Sequence, residues 1–338
     1  MSITSRAPSD TIATRPRLSP AATVLVTGGT GFLGTAVLRA LAQRGVTPLL
    51  FRRPGSRTDR IADVPRKEIF GDLQDLDSLH GIIHTCDAVI HCAAVTDMAT
   101  TADEALEHIN VQATAQLAAL CRQAGACRLV YVSSTGTMGP IDGVTDETAP
   151  FLMTRNRYFT SKYRAEQVVL NECRQGLDAV IVNPTAMVGA IGLSPNHQRL
   201  LRQATRQMVC VTLPGGSCFV SVDDIANGIL LAVERGQPGE RYILGGVNLT
   251  FCEYARLIAA VAHRRPIVVR MPAAALRTAA AIGWLARPLW PAGTLRDPSV
   301  VALLCAKAFY SSTKATKQLG YQITPLADIL PAIIARYG

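Results

Sequence analysis

The sequence predicts an α/β fold: a doubly wound parallel sheet with a smaller mixed α/β C-terminal substrate domain. Three observations carry this. A glycine run, Thr27-Gly28-Gly29-Thr30-Gly31-Phe32-Leu33-Gly34, lies between an apolar strand pattern and an amphipathic helix pattern. Short β-branched runs alternate with helical patterns through residues 23 to 183, which argues a parallel sheet covered on both faces. A chain of 338 residues with 49% hydrophobic content can bury a large core in two domains.

Thr23-Val24-Leu25-Val26 reads as the first strand, and Leu33, Ala36, Val37, Ala40 and Leu41 recur at helical spacing after it. The glycines therefore occupy a Rossmann turn. Gly28 permits a tight turn, Gly31 lets the backbone approach a pyrophosphate, and Gly34 lets the helix pack close to the strand. The helix N-terminus offers N–H groups and a positive dipole end to phosphates. Thr30, Phe32 and Leu33 belong to the same binding turn.

The second strand, Thr47 to Phe51, is followed by Arg52-Arg53, with Arg57 and Arg60 beyond. NAD sites place a carboxylate here for the ribose 2′-OH. A guanidinium suits a 2′-phosphate instead, so the reading is NADP(H), with NAD(H) as the alternative. An exposed basic loop is the plainer account of these arginines. Ile69-Phe70-Gly71-Asp72-Leu73 reads as a strand end, with Asp72 placed to accept from an adenine amino group and Leu73 beside it. Asp72 could equally cap a helix, because Asp75 and Asp77 follow.

Val89-Ile90-His91-Cys92-Ala93-Ala94 is a buried strand whose small end, Ala93 and Ala94, suits backbone running beside a cofactor. His91 and Cys92 lack a second pair at ligand spacing, so no metal site is predicted and His91 reads as a core histidine. Leu129 to Thr135 forms another strand. The glycine turn, Asp72, Ala93 and Ser134 all fall on one sheet edge, where ligands of such folds bind.

Residues 157 to 173 read as a helix with Ala165, Val168, Val169 and Cys173 on one face. Tyr158 and Lys162, four apart, share another. A free tyrosine is a poor base at neutral pH. A neighbouring ammonium is expected to lower its pKa, so that Tyr158 gives a proton to a carbonyl oxygen or takes one from an alcohol. Ser134 is placed to orient the same oxygen.

These residues resemble an extended short-chain dehydrogenase/reductase, over roughly residues 23 to 335. The motifs are Gly28-x-x-Gly31-x-x-Gly34, Asp72, Cys92-Ala93-Ala94, Asn110-Val111, Ser133-Ser134, Tyr158-x-x-x-Lys162 and Asn183-Pro184-Thr185. The resemblance implies a Ser134, Tyr158, Lys162 catalytic set and a proton-relay role for Asn110. It also implies that Lys162 holds the nicotinamide ribose. Backbone after Pro184, including Ala186 and Val188, is implied to contact the nicotinamide amide. Counting back from Gly139 selects Ser134 over Ser133. The chain looks similar to the dihydroflavonol-reductase-like and hopanoid-associated-epimerase-like branch. Nucleotide-sugar members carry Arg where Asn183 stands, Asn where Ala186 stands and Tyr-Gly where Met138-Gly139 stands. These departures count against a nucleotide-sugar substrate and leave a simpler sugar open.

The domains are read as a tail over 1–22, a dinucleotide-binding domain over 23–188 to which 219–244 may be added, and a substrate domain over 189–338. The tail holds Arg, Ser, Thr and Pro without a long apolar run and is expected to be disordered. Nine scattered cysteines fit a reducing cytoplasm. The net charge of +9 comes from dispersed arginines without interleaved aromatics, which argues against nucleic acid. In Ala273 to Ala292, Arg277 and Arg287 bracket nine uncharged residues, whereas a span needs about twenty. That stretch reads as helical core or surface, with a peripheral lipid contact through Trp284 and Trp290 as the secondary reading. Ser194-Pro195-Asn196-His197 reads as a loop with His197 exposed, a substrate contact by His197 being the alternative. Pro214 to Ser217 reads as a turn, and Asp223-Asp224 as helix-capping carboxylates.

The expected activity is NADP(H)-dependent reduction of a ketone or aldehyde, or the reverse alcohol oxidation, on an aromatic, lipid or polyketide-like substrate. The rivals are an epimerase or dehydratase that retains NAD and a non-catalytic NADP(H) sensor. The apolar faces of 104–124 and 157–173 suggest a homodimer through a four-helix interface.

Overall fold

A computed structural model describes residues 18–96, 103–125, 127–140, 143–285 and 298–338. Most of the expected tail, and Arg287 and Trp290, lie outside the described residues; so does the Trp284 side chain.

The first lobe runs β1 (Val24–Thr27), α1 (Phe32–Gln43), β2 (Leu49–Arg52), β3 (Lys67–Phe70), α2 (Asp77–Ile83), β4 (Ala88–His91) and α3 (Asp103–Ala105). A π-helical stretch, Leu106–Gln112, leads into α4 (Ala113–Ala124), β5 (Arg128–Val132), α5 (Arg157–Arg174) and β6 (Ala179–Pro184). The chain then leaves for β7 (Ala186–Val188), α6 (Pro195–Arg206), β8 (Val209–Thr212) and β9 (Gly216–Ser221). It returns through α7 (Val222–Arg235) to β10 (Arg241–Leu244). The seven-stranded sheet has the order β10-β6-β5-β4-β1-β2-β3, and every pairing is parallel. Successive side chains of a strand face opposite ways. Val24, Val26 and Ile90 accordingly join α1 and α7 in one core, while Leu25, Val89 and Leu129 join α4 and α5 in the other. Each such fully buried side chain contributes roughly 1.5–3 kcal/mol. Strand order reverses between β1 and β4, so a crevice opens beside Gly28 and Ala93.

The second lobe is centred on β9, which pairs with β7, β11 (Val247–Thr250) and, after α8 (Phe251–Val261), β12 (Ile267–Arg270), α9 (Ala273–Leu285) and α10 (Pro298–Cys305), with β13 (Lys307–Ala308). α11 (Thr313–Leu319) and α12 (Leu326–Tyr337) complete the chain, and β8 and β12 form a separate two-stranded sheet. The Phe219 and Tyr254 rings stack at 3.9 Å inside this lobe.

Three local expectations are corrected. Gly216 and Ser217 are strand and not turn, because they pair with Thr250 and Leu249 of β11 on one side and with Lys307 and Ala308 of β13 on the other. The α7 cap is the Ser221 hydroxyl, which accepts from the Asp223 amide; Asp224 instead accepts from the Thr324 amide and hydroxyl at 2.8 and 2.7 Å. His197 lies in the first turn of α6, its ring edge-on to Phe219 and Tyr254, and burial holds it down at about 4. The apolar residues of α4 and α5, including Leu117, Cys121, Ala165 and Val169, pack into their own subunit's core, and outward-facing Arg164 pairs with Glu107.

Candidate active site

The glycine turn is a cradle shaped by close approach. Gly28 has φ +71, and a Cβ there would lie 2.5 Å from the Ala93 amide nitrogen. A Cβ on Gly34 would lie 2.1 Å from the Gly28 carbonyl oxygen, so only glycine lets α1 sit this near the turn. Gly31 is the N-cap with extended backbone and no side-chain cap, and its own Cβ would meet only the Gly28 carbonyl oxygen. No acidic residue sits in the first turn of α1. The leading amides, from Phe32 to Gly34, thus face outward with a positive dipole end behind them. The Phe32 ring borders Gly189 and Gly192 and walls one side.

At the adenosine end the arginines divide. Arg52 makes two bonds to Glu68 Oε2, at 3.0 and 2.6 Å, and its guanidinium lies 4.6 Å from the Phe70 ring centre. Arg57 pairs with Asp59. The exposed Arg53 side chain enters no ion pair among the described residues. Asp72 accepts from the Gln74 amide at 3.0 Å, closing a turn with Leu73 inside it. The capping alternative for Asp72 is corrected, since α2 begins only at Asp77.

The catalytic edge is built by α5 lying across the end of β5. Phe159 covers Gly136 so closely that a Cβ there would be 2.0 Å from the ring. Ser134 caps a short 3-10 turn, its hydroxyl accepting from the Gly136 amide at 3.2 Å. Lys162 is sealed from solvent, donates to the Val132 carbonyl oxygen at 2.7 Å and lies 4.4 Å from the Tyr131 ring centre. Burial pulls its ammonium down to about 7, against the opposing pull of the Glu166 carboxylate.

The Tyr158 phenol is pushed up to about 12 by burial. The expected lowering by Lys162 does not enter here, because its ammonium is bonded to the Val132 carbonyl oxygen. The ammonium points to the end of β5, so the phenol loses water without gaining a cation. Tyr158 accordingly holds its proton across the neutral range.

Asn110 sits in the π-helical stretch. Its amide accepts from the Val95 amide at 2.8 Å and donates to the Val95 carbonyl oxygen at 3.0 Å and Ser161 Oγ at 2.9 Å. Ser161 in turn donates to the Tyr158 carbonyl oxygen at 2.7 Å. Asn110 is thus a clasp between the loop after β4 and the first turn of α5, with its side chain engaged on every side. His91 is a core residue, held between Thr27 at 2.7 Å and Thr114 at 3.0 Å, and burial drives it down to about 3.

Glu166 was not singled out by motif. It follows Lys162 by one helical turn, so Tyr158, Lys162 and Glu166 repeat at four-residue spacing. It accepts from Asn183 Nδ2 at 2.6 Å and Thr137 Oγ1 at 2.8 Å, and meets Arg241 at 3.5 Å. Asn183 also donates to the Ser134 carbonyl oxygen at 3.1 Å. The Tyr310 hydroxyl donates to the Thr135 and Met138 carbonyl oxygens. The strand ending in Asn183-Pro184 leads directly to Ala186, which is partly open, and Val188, which is fully buried.

A nicotinamide dinucleotide fits these residues. A Cβ at Gly28 or Gly34 would fill the cradle, and α1 presents free amides at its N-terminus.

A family model described as the NAD dependent epimerase/dehydratase family matches residues 24–245, and the chain belongs to that family. It is 34% identical over 314 residues to a protein of Synechocystis sp. provisionally named dihydroflavonol 4-reductase, covering 87% of this chain and 88% of the relative. It is 30% identical over 310 residues to a 4-hydroxy-2-methyl-3-oxo-4-farnesyl-3,4-dihydroquinoline-1-oxide ketoreductase of Stigmatella aurantiaca, covering 88% and 90%. Among solved structures, gox2253 superposes with a TM-score of 0.80 at 35% identity over 93% of this chain and 97% of that one. The protein is an NAD(P)-dependent enzyme of the oxidoreductase and epimerase type. No helix among the described residues is long and apolar enough to cross a membrane.

Proposed function

We propose that the protein is an NADP(H)-dependent reductase of a hydrophobic ketone or aldehyde, or the reverse alcohol dehydrogenase. The observation that carries this is the placement of Tyr158 and Lys162 one turn apart on α5, with the Lys162 ammonium on the Val132 carbonyl oxygen at the end of β5, from which the Ser134 turn follows. When bound, the nicotinamide supplies the hydride to the carbonyl carbon or removes it from the carbinol. Ser134 orients the substrate oxygen by hydrogen bonding. Tyr158 delivers the proton that turns that oxygen into a hydroxyl, and recovers its own from water. Lys162, released from Val132, would hold the ribose hydroxyls and favour the phenolate left behind.

Two further features support the finer reading. Arg53 offers a guanidinium to a 2′-phosphate without breaking an existing pair. Asn183, fully buried against Glu166, is not free to grip a substrate nucleotide, which counts against a nucleotide sugar. The names of the two curated relatives support a ketone on an aromatic or isoprenoid skeleton. The test begins with mass spectrometry of the purified protein for retained cofactor. Calorimetric titration with NADPH and NADH follows, then a panel of hydrophobic ketones read by NADPH consumption. Tightly retained NAD with no net oxidation of NADPH would replace this reading with an epimerase.

A further inference from the structure

The small sheet of β8 and β12 has a dry face and a wet face in the wrong place. Cys210 and Thr212 point inward and are buried. Val209 and Val211 point outward and stand directly opposite Ile267 and Val269, since the register pairs Val209 with Ile267 and Val211 with Val269. All four are exposed, Ile267 at 65%, and Met208 at the head of β8 is 85% exposed. Alternation along a strand ordinarily sends polar residues to the solvent side. Here the solvent side is β-branched and apolar on both strands, and both strands are edges because the sheet has only two.

Arginines flank this patch in the sequence. Arg206 closes α6 just before Met208, and Arg264 and Arg265 precede Ile267. The strands are parallel, so Arg264 and Arg265 gather at one end of the patch with Arg206, which donates to the Gly338 carbonyl oxygen, while Arg270 stands at the other end opposite Thr212. Arg264, Arg265 and Arg270 enter no ion pair among the described residues. The sequence between Asp178 and Asp223 holds three arginines and no carboxylate, and that between Glu253 and Asp297 holds seven arginines and no carboxylate. A protein partner with an ordinary mixed surface would not select for this. An apolar centre flanked by unpaired arginines such as Arg264 and Arg265 is what an anionic bilayer surface recognises, the side chains entering the acyl boundary and the guanidiniums meeting the headgroups.

We infer that the β8–β12 face, with its arginine rim, is a peripheral docking surface for anionic phospholipid membranes. The claim concerns binding and stands whichever carbonyl the enzyme reduces.

The test is co-sedimentation of the full chain with vesicles of phosphatidylcholine alone and of phosphatidylcholine mixed with phosphatidylglycerol, at low and high salt. The wild type is expected to pellet with the mixed vesicles and to be released by salt. Val209→Glu with Ile267→Glu places carboxylates on the exposed face and should cut vesicle binding at least tenfold. Arg264→Ala with Arg265→Ala should cut it about tenfold or more and remove the preference for phosphatidylglycerol. Both variants should keep wild-type melting and NADPH affinity, since neither pair touches the site. Failure of the wild type to pellet with anionic vesicles, or equal pelleting by the variants, would overturn the proposal. So would a wild-type dimer in sedimentation velocity that the Ile267→Glu change dissociates while vesicle binding persists, because the patch would then belong to a second copy.

Discussion

Glu166 and Asn183, seventeen residues apart on a helix and a strand, meet at 2.6 Å with neither reached by solvent. Through this contact the carboxylate holds the carbonyl of Ser134 by way of the Asn183 amide, and Thr137 directly. The Ser134 turn and α5 are thereby locked to one buried acid. Glu166→Ala leaves three donors facing a void and should cost about 3 kcal/mol, readable in denaturant melts. Glu166→Gln keeps the shape but removes the charge that opposes the downward shift of Lys162. Its pH–rate profile should fall off at lower pH on the alkaline side, and an unchanged alkaline limb would separate Glu166 from Lys162.

Tyr158→Phe removes the proton donor and keeps the ring. Turnover should fall by on the order of a hundredfold to ten-thousandfold, while calorimetric cofactor affinity stays near wild type. Retained turnover would take the acid role away from Tyr158.

Lys162 also makes a prediction about stability against pH. Its folded pKa, about 7, lies below the ordinary lysine value of 10.5. Between those values the unfolded chain binds the extra proton, so stability rises with pH across the window. In Lys162→Met this rise should vanish, leaving a flatter profile from neutrality to about 10 in chemical denaturation. A variant profile parallel to wild type would mean the ammonium is not desolvated.

The arginines after β2 should separate. Arg53→Ala is expected to weaken NADPH about tenfold and to leave NADH unchanged, as befits one lost charge-assisted contact. Arg52→Ala unpairs Glu68 from one of its two guanidiniums and should lower the melting temperature more than it alters cofactor choice. Equal losses of NADPH and NADH in the Arg53 variant would remove the 2′-phosphate assignment.

Gly34→Ala would force a methyl into the Gly28 carbonyl, which a backbone turn cannot yield to cheaply. A loss of about 1–3 kcal/mol is expected, together with weaker binding of both cofactors. Normal affinity in this variant would show that the turn is not a pyrophosphate cradle.

Much of this was legible in the chain because periodicity and glycine report local geometry. The strand before Gly28, the helix after it and the α5 helix followed from apolar spacing. The direction of the Lys162 ammonium did not, because it depends on the Val132 carbonyl that β5 presents across thirty residues. Glu166 looked like any helix-surface acid until α5 was laid against β6. His197 looked like a loop residue because Pro195 hides a helix start as readily as a turn. The β8 and β12 strands, too short to show a period, gave no warning that their apolar side would face outward.

The departure of the chain between β6 and β10 has a consequence for synthesis. When Ala179–Pro184 leaves the ribosome, its outer neighbour in the sheet, Arg241–Leu244, is still more than fifty residues from being made. The nascent Rossmann sheet must therefore wait with β6 as an open edge of backbone amides and carbonyls. Everything from β7 to α7 has to emerge before that edge can close. The vulnerable interval in this protein's life, when it most invites misassembly or a chaperone, falls while the second lobe is only partly translated.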